Sequence, residues 1–321
     1  MRVKIDREVV QRFEAGLDPR HPEKSLIPAQ IIGYGEMSTI FVIKAPGQSD
    51  TAYKRMPVFR TLPEMEHYER IFQEYNTRLA EIGLNIPSFA SVRVTSPEGL
   101  PVVYNAQSRL SEEAIANRLI HRLPDQPVKT LFLLVLNELH KVFAFNAAHT
   151  DIRYGIDGQI SNWAVLHYRE GVAIGPDTKL AYLDTSTPMI QKCGREQLDP
   201  ELFLRSAPSF MVWIIRRLFL DGVMTRYYDF RLVVIDLIAN FHKEQRPDLI
   251  PMLIETANDF FATKAAGLGV GSIDMRAVKA YYRQDAMIWR VYLGMRRFDR
   301  FLHRTLLRKP YRYILPGRIK R

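Results

Sequence analysis

The sequence predicts an α+β fold in two lobes, a small antiparallel β-rich N-terminal lobe followed by a larger, mainly helical C-terminal lobe. Three observations predict it. Between residues 29 and 61, short apolar stretches alternate with glycine- and proline-bearing turns, which is the pattern of strands. At Pro63 the apolar spacing changes to three and four. From Pro200 onward helical periodicity dominates. The division is expected near residue 107, giving an N-terminal lobe 1–107 and a C-terminal lobe 108–321.

Each element has its own signal. Residues 30–33 and 39–44 flank a glycine turn, and a second turn at 45–50 leads into a strand at 51–56, so a meander of three strands is expected. Tyr68, Ile71, Phe72, Tyr75, Leu79 and Ile82 then form the stripe of an amphipathic helix that Gly83 and Pro87 stop. Residues 89–95 and 100–106 read as a hairpin around Ser96-Pro97-Glu98-Gly99. A short capped helix is expected at 111–114 and a long apolar one at 128–148. Two strand-like pieces follow at 163–168 and 180–184, and helices at 210–220, 227–242, 247–264 and 275–306. Beyond Pro310 the helix is not expected to continue.

With 321 residues, 47% hydrophobic and 25% charged, the chain can bury a substantial core. Its single cysteine, Cys193, excludes an intrachain disulfide and a cysteine-based metal cluster. The charged N-terminus does not read as a signal peptide, and no uncharged apolar run approaches the roughly 18–20 residues of a bilayer span. A cytoplasmic setting with no transmembrane segment is therefore expected. The formal charge of +10 is uneven: residues 295–321 hold eight arginines and two lysines against one aspartate. That tail is a candidate contact for an anionic partner, with a solvated basic helix end as the plainer reading.

The candidate chemistry lies in widely spaced positions. Ile32-Gly33-Tyr34-Gly35-Glu36-Met37-Ser38-Thr39 is a glycine turn whose amides and hydroxyls, from Gly33, Gly35, Ser38 and Thr39, suit phosphate oxygens. Lys54 follows one strand later with apolar neighbours, and strand alternation puts its competitor Arg55 on the opposite face. A phosphate-pairing lysine needs an orienting acid, for which Glu69 and Glu74 flank the stripe of the first long helix most usefully. Asp157 and Asn162, five residues apart in one loop, suit a base and an amide metal ligand, and Asp184 at a strand end suits a second metal ligand. Asp151, in His149-Thr150-Asp151, is set aside because Ile156 stands where a metal-binding amide would be needed. No Gly-x-Ser-x-Gly or His-Glu-x-x-His motif occurs. In this order the groups match what phosphoryl transfer from a magnesium nucleotide requires.

On these residues the chain resembles the protein-kinase-like superfamily, and within it the small-molecule branch of aminoglycoside phosphotransferases and choline kinases. The branch commonly carries His-Gly-Asp-x-x-x-x-Asn, then a strand, then an aspartate-containing metal motif. Here Gly155-Ile156-Asp157 takes the place of His-Gly-Asp, Asn162 keeps its spacing, and Asp184 falls at a compatible distance. The resemblance covers roughly residues 30–190 and implies ATP and Mg²⁺ as cofactors. It assigns the acceptor hydroxyl or amine to Asp157, the α- and β-phosphates to Lys54, the metal to Asn162 and Asp184, and the adenine hinge to residues 100–107. The expected activity is phosphoryl transfer to a small-molecule acceptor. The departures, Gly155 for the buttressing histidine and Thr185-Ser186-Thr187 after Asp184, support the alternative of a kinase-like binding or scaffold protein with little or no transfer activity.

Overall fold

The computed structural model describes residues 3–34, 39–199, 202, 205, 225–306 and 311–315. The helix expected at 210–220, together with Gly35, Ser38 and Trp213, lies outside the described residues.

The N-terminal half is built on one antiparallel sheet. Its strands are β1 (Ala29–Tyr34), β2 (Thr39–Ile43), β3 (Thr51–Met56), β4 (Phe89–Thr95) and β5 (Pro101–Ser108), in the order β1-β2-β3-β5-β4. Ile40 pairs with Lys54 and Phe41 with Tyr53, which sets the alternation of both faces. Phe41, Tyr53 and Tyr104 point to one face, where Val9, Val10 and Phe13 of a first helix, α1 (Arg7–Ala15), cover them. The sequence reading did not anticipate α1. Asp6 caps it, its carboxylate accepting from the amides of Glu8 and Val9. Arg55 faces α1 and donates twice to the buried Glu14, at 2.7 and 2.6 Å, while the Tyr104 hydroxyl donates to the same carboxylate.

The opposite face meets α2 (Leu62–Glu81), which Thr61 caps and which ends before Gly83, whose φ of +103° suits glycine alone. Of its expected stripe, Tyr68, Ile71, Phe72, Tyr75 and Leu79 are buried and Ile82 is half-buried, and Met65 is buried with them. Each such side chain contributes about 1.5–3 kcal/mol by leaving water. These residues belong to a core cluster that continues through the helical half as far as Val278, so one core crosses residue 107. The segment expected to supply the adenine hinge, 100–107, forms the expected strand, β5, an inner strand held by β3 and β4 along its length. The crossing to the helical half begins after Ser108, where Arg109 donates to the Asp50 carbonyl.

The second half has α3 (Ala116–Leu119), α4 (Asp125–Ala148), α5 (Phe230–Lys243), α6 (Ile250–Ala262) and α7 (Met275–Thr305) among its described helices. By length and composition α4 could cross a membrane, although Lys129, Glu138 and Lys141 interrupt its apolar run. In this fold it packs inside the protein, with Leu131, Phe132, Val135, Leu136, Leu139 and Val142 fully buried. Short strands frame the loop region. β7 (Trp163–Val165) pairs with β8 (Leu180–Tyr182), and β6 (Ile152–Tyr154) pairs with β9 (Ile190–Lys192), which pairs with β10 (Arg195–Glu196). β7 and β8 are shorter than the pieces read from the sequence. β6, β9 and β10 were not anticipated, being too short to show a period. The fold class is thus α+β, with an antiparallel β-rich N-terminal part and a helical C-terminal part.

Candidate active site

Strand alternation delivers Lys54 to the α2 side of the sheet, away from Arg55. There its Nζ lies 2.6 Å from Asp184 Oδ1 and donates to Ser186 Oγ at 2.9 Å. Ser186 in turn donates to Asp184 Oδ1 at 3.1 Å, closing a three-membered polar cluster. The lysine side chain is 13% exposed and the aspartate 28%, so the pair is largely screened from solvent. Burial would raise the Asp184 carboxyl, but the Lys54 charge and the hydrogen bonds from Lys54 and Ser186 outweigh it and hold the group below its ordinary range. A carboxylate kept ionised there has the hard-oxygen chemistry of a metal ligand.

Neither expected glutamate pairs with Lys54. Glu69 accepts from Ser91 Oγ at 2.8 Å and from Arg93, both on β4. Glu74 pairs with Lys192 on β9 at 2.7 Å. Both flank the apolar stripe and therefore reach the two edges of α2, whereas its buried face meets the cleft. That face supplies Tyr68, whose hydroxyl donates to the Ser186 carbonyl at 2.8 Å and accepts from Asn105. Gln107 on β5 donates to Thr185 Oγ1 at 3.1 Å. The segment after Asp184 is thus fastened to the N-terminal half by α2 and β5. Sequence reasoning placed Tyr68 in the core and did not single out Ser186 or Gln107; a hydroxyl two residues after the aspartate was the available signal.

The loop with Asp157 and Asn162 is clamped on several sides. The Gly155 amide donates to the Met189 carbonyl at 2.9 Å, and the Ile156 amide to the Tyr227 carbonyl at 3.1 Å. Tyr75 of α2 donates to the Gly155 carbonyl at 2.7 Å, and the Asp157 amide donates to the Tyr182 hydroxyl at 3.3 Å. Asp157 Oδ1 accepts from the Gln159 amide at 3.0 Å, fixing the carboxylate in a local turn. Asn162 Nδ2 donates to the Asp157 carbonyl at 3.2 Å, leaving its Oδ1 as the amide atom suited to a cation. The Leu183 amide donates to the Asn162 carbonyl at 2.9 Å, which brings Asn162 beside Asp184. Tyr75 and Tyr182 are both pushed far up, by burial first; Asp184 and Asp157 add to both, and for Tyr182 the neighbouring Tyr75 adds before them. Asp151 is exposed, outside this clamp.

Packing accounts for the glycine at 155. A Cβ there would stand 2.9 Å from the Met189 Cβ and 3.2 Å from the Tyr228 ring. The space a histidine would occupy is filled by Met189 and Tyr228, and tyrosines hold the loop instead. At Gly158 a Cβ would meet Val233 at 2.8 Å and Leu139 at 3.2 Å, so the turn lies directly on α5 and α4.

The glycine turn is divided. Gly33 pairs with Ile40, whose partner across the sheet is Lys54, so Gly33 lies over the lysine face. Thr39 does not: it alternates with Phe41 onto the α1 face, is buried, and its hydroxyl donates to the Ile314 carbonyl at 3.5 Å. Its assignment to phosphate is corrected by strand parity. Among the described residues no group of three or more His, Cys, Asp and Glu side chains could hold a metal by itself. Asp184 and Asn162 Oδ1 are two hard-oxygen groups on adjoining segments, the donor chemistry that suits Mg²⁺.

The fold and the site together define a two-lobed α+β protein in which a sheet lysine reaches an aspartate of the helical half beside a clamped Asp/Asn loop. The chain belongs to the family described as Family of unknown function (DUF6206), whose model matches residues 23–300. No curated protein matches the sequence. Among solved structures, WaaP in complex with acyl carrier protein is 13% identical, covering 89% of this chain and 98% of its own, with a TM-score of 0.36. The GDP complex of wild-type aminoglycoside 2'-phosphotransferase-IIIa is 12% identical, covering 76% and 95% respectively, with a TM-score of 0.34. At such identities and TM-scores the functional reading stands on this chain's own geometry.

Proposed function

We propose that this protein is an ATP- and Mg²⁺-dependent phosphotransferase acting on a hydroxyl or amine of a small molecule, with the cytoplasm as its setting. The observation that carries the reading is the 2.6 Å Lys54–Asp184 pair, poised beside the Asp157–Asn162 loop. A bound Mg²⁺ would supply charge neutralisation of the nucleotide phosphates, held by Asp184 and by Asn162 Oδ1. Lys54, which rests on Asp184 and Ser186, would share its charge with phosphate oxygens. Asp157, fixed by the Gln159 amide, would orient the acceptor and take its proton as the acceptor atom bonds to the γ-phosphorus and the bond to the β–γ bridging oxygen breaks, ADP leaving with that electron pair. Gly33, without a side chain over the lysine face, leaves room for the phosphates to approach the sheet. The second reading is a nucleotide-binding module without transfer, favoured by the fastening of Thr185 and Ser186 to the N-terminal half.

Thermal-shift titration with ATP, with and without Mg²⁺, tests the site on wild type, Asp184→Ala and Asp157→Asn. Ligand binding only the folded state raises its apparent stability, by about 2.7 kcal/mol at one hundred times Kd. A Mg²⁺-dependent shift is expected in wild type and Asp157→Asn and lost in Asp184→Ala. ATP consumption with a panel of hydroxyl and amine acceptors is expected in wild type and abolished in Asp157→Asn. No shift in folded wild-type protein sinks the nucleotide site, and a shift with no turnover on any acceptor selects the binding module.

A further inference from the structure

The long helix α7 presents two unlike faces. Inward it buries Val278, Trp289, Met295 and Arg296, the last stacked over the rings of Tyr292 and Tyr313, which fixes the rotation of the helix. Outward it presents Arg283, Met287, Arg290, Val291, Gly294, Arg297, Phe298, Phe301 and Arg304, all exposed. Their spacing alternates between three and four, so they form one continuous stripe, about 30 Å long at 1.5 Å per residue. Of the eight large apolar side chains most exposed among the described residues, five belong here: Met287, Val291, Phe298 and Phe301, with Leu306 at the helix end. Leu306 is 70% exposed and Phe301 56%. A stripe this apolar is an interaction surface rather than scattered exposure.

The charge is equally one-sided. The helix carries eight arginines and lysines against two aspartates, and both aspartates already have partners: Asp285 lies 3.8 Å from Arg226, and Asp299 lies 3.3 Å from His303 one turn along the same helix. Arginines at 283, 290, 297 and 304 recur every seven residues along the edge of the apolar stripe. The arginine Arg300 is lowered by burial and further by the charges of Arg20, Arg297 and Arg304, with Tyr311 opposing. Nucleic acid would use the arginines but gives no account of exposed Met287, Val291, Phe301 and Leu306. An anionic bilayer uses both, lipid phosphates taking the guanidinium groups and the headgroup boundary taking the apolar side chains.

We infer that the outward face of α7, from Arg283 to Leu306, is a docking surface for an anionic phospholipid bilayer, lying in the plane of its headgroups. This is a surface attachment distinct from the buried α4, and it holds whether or not the cleft transfers phosphate.

The test is co-sedimentation of the full chain with vesicles of phosphatidylcholine alone and of equimolar phosphatidylcholine and phosphatidylglycerol. Binding is expected to the anionic vesicles only and to weaken as salt rises. Each arginine near such a surface is worth about fivefold in partitioning, so Arg290→Glu/Arg304→Glu is expected to lower it about 25-fold or more. Met287→Ser/Phe301→Ser is expected to lower it roughly tenfold. All four positions are exposed, so both variants keep the wild-type circular dichroism and melting temperature; the wild-type salt dependence reads the same surface without any substitution. The inference is overturned if wild type stays in solution with anionic vesicles, sediments equally with neutral ones, or if both variants bind unchanged. Retention on duplex DNA, or a concentration-dependent dimer, without vesicle binding overturns it too.

Discussion

Gly155 shows how a single position can depart from a familiar pattern without loosening the site. A histidine there would have to displace the Met189 backbone-proximal Cβ, 2.9 Å from the would-be Cβ, as well as the Tyr228 ring. Installing it by Gly155→His therefore costs stability by overpacking, about 1–3 kcal/mol or more, and does not raise any turnover. Gly175→Ala, where nothing lies within 4 Å, is the control and leaves the midpoint unchanged. Urea unfolding of the two variants checks this; a Gly155→His protein as stable as wild type means that the tyrosine clamp is not rigid. Sequence spacing made Lys54, Asp157, Asn162 and Asp184 legible because each is a chemically distinctive residue in a short local context. The tyrosine clamp was not legible: Tyr75 and Tyr182 look like any buried aromatic, and only tertiary contact turns their hydroxyls toward Gly155 and Asp157.

At the scale of elements, α1 is held to the sheet by a buried ion pair as well as by apolar contact. Glu14 is 1% exposed and Arg55 7%. Replacing Glu14 by Ala leaves Arg55 without its carboxylate and Tyr104 without its acceptor, at a cost of about 3–5 kcal/mol. Glu14→Leu with Arg55→Met removes both charges and is expected to recover most of that loss, because apolar side chains of similar size avoid the desolvation of the pair. Chemical denaturation of the single and double variants reads the difference; equal losses would mean that Arg55 acts chiefly through its 2.7 Å bond to the Arg312 carbonyl. The helix itself escaped the sequence reading because nine residues give little more than two turns of periodicity. α2 and α7 were legible because their stripes run over many turns.

For the whole molecule, the question is whether two lobes mean two folding units. The largest core cluster runs from Met56 through α2 and α4 to Val278, crossing the proposed 107/108 boundary. Contacts shared across a boundary couple the stability of both sides. Thermal unfolding followed by far-ultraviolet circular dichroism and by tryptophan fluorescence is therefore expected to give one coincident transition. Two separated transitions would show that the sheet half melts by itself and that the lobe boundary is also a folding boundary.

The sequence by itself determined the α+β class, a β-rich part followed by a helical one, the long amphipathic elements and the residue types that suit phosphate and metal. Those follow from local periodicity and from the chemistry of side chains, which need no distant partner to be read. Tertiary structure alone decided that Lys54 pairs with Asp184 rather than with Glu69 or Glu74, that Thr39 faces α1, and that Gly155 lies against Met189 and Tyr228. It also decided which face of α7 looks outward. The physical reason is common to all four: strand parity and helix rotation are set by what the far parts of the chain bury, and a local window does not contain those parts.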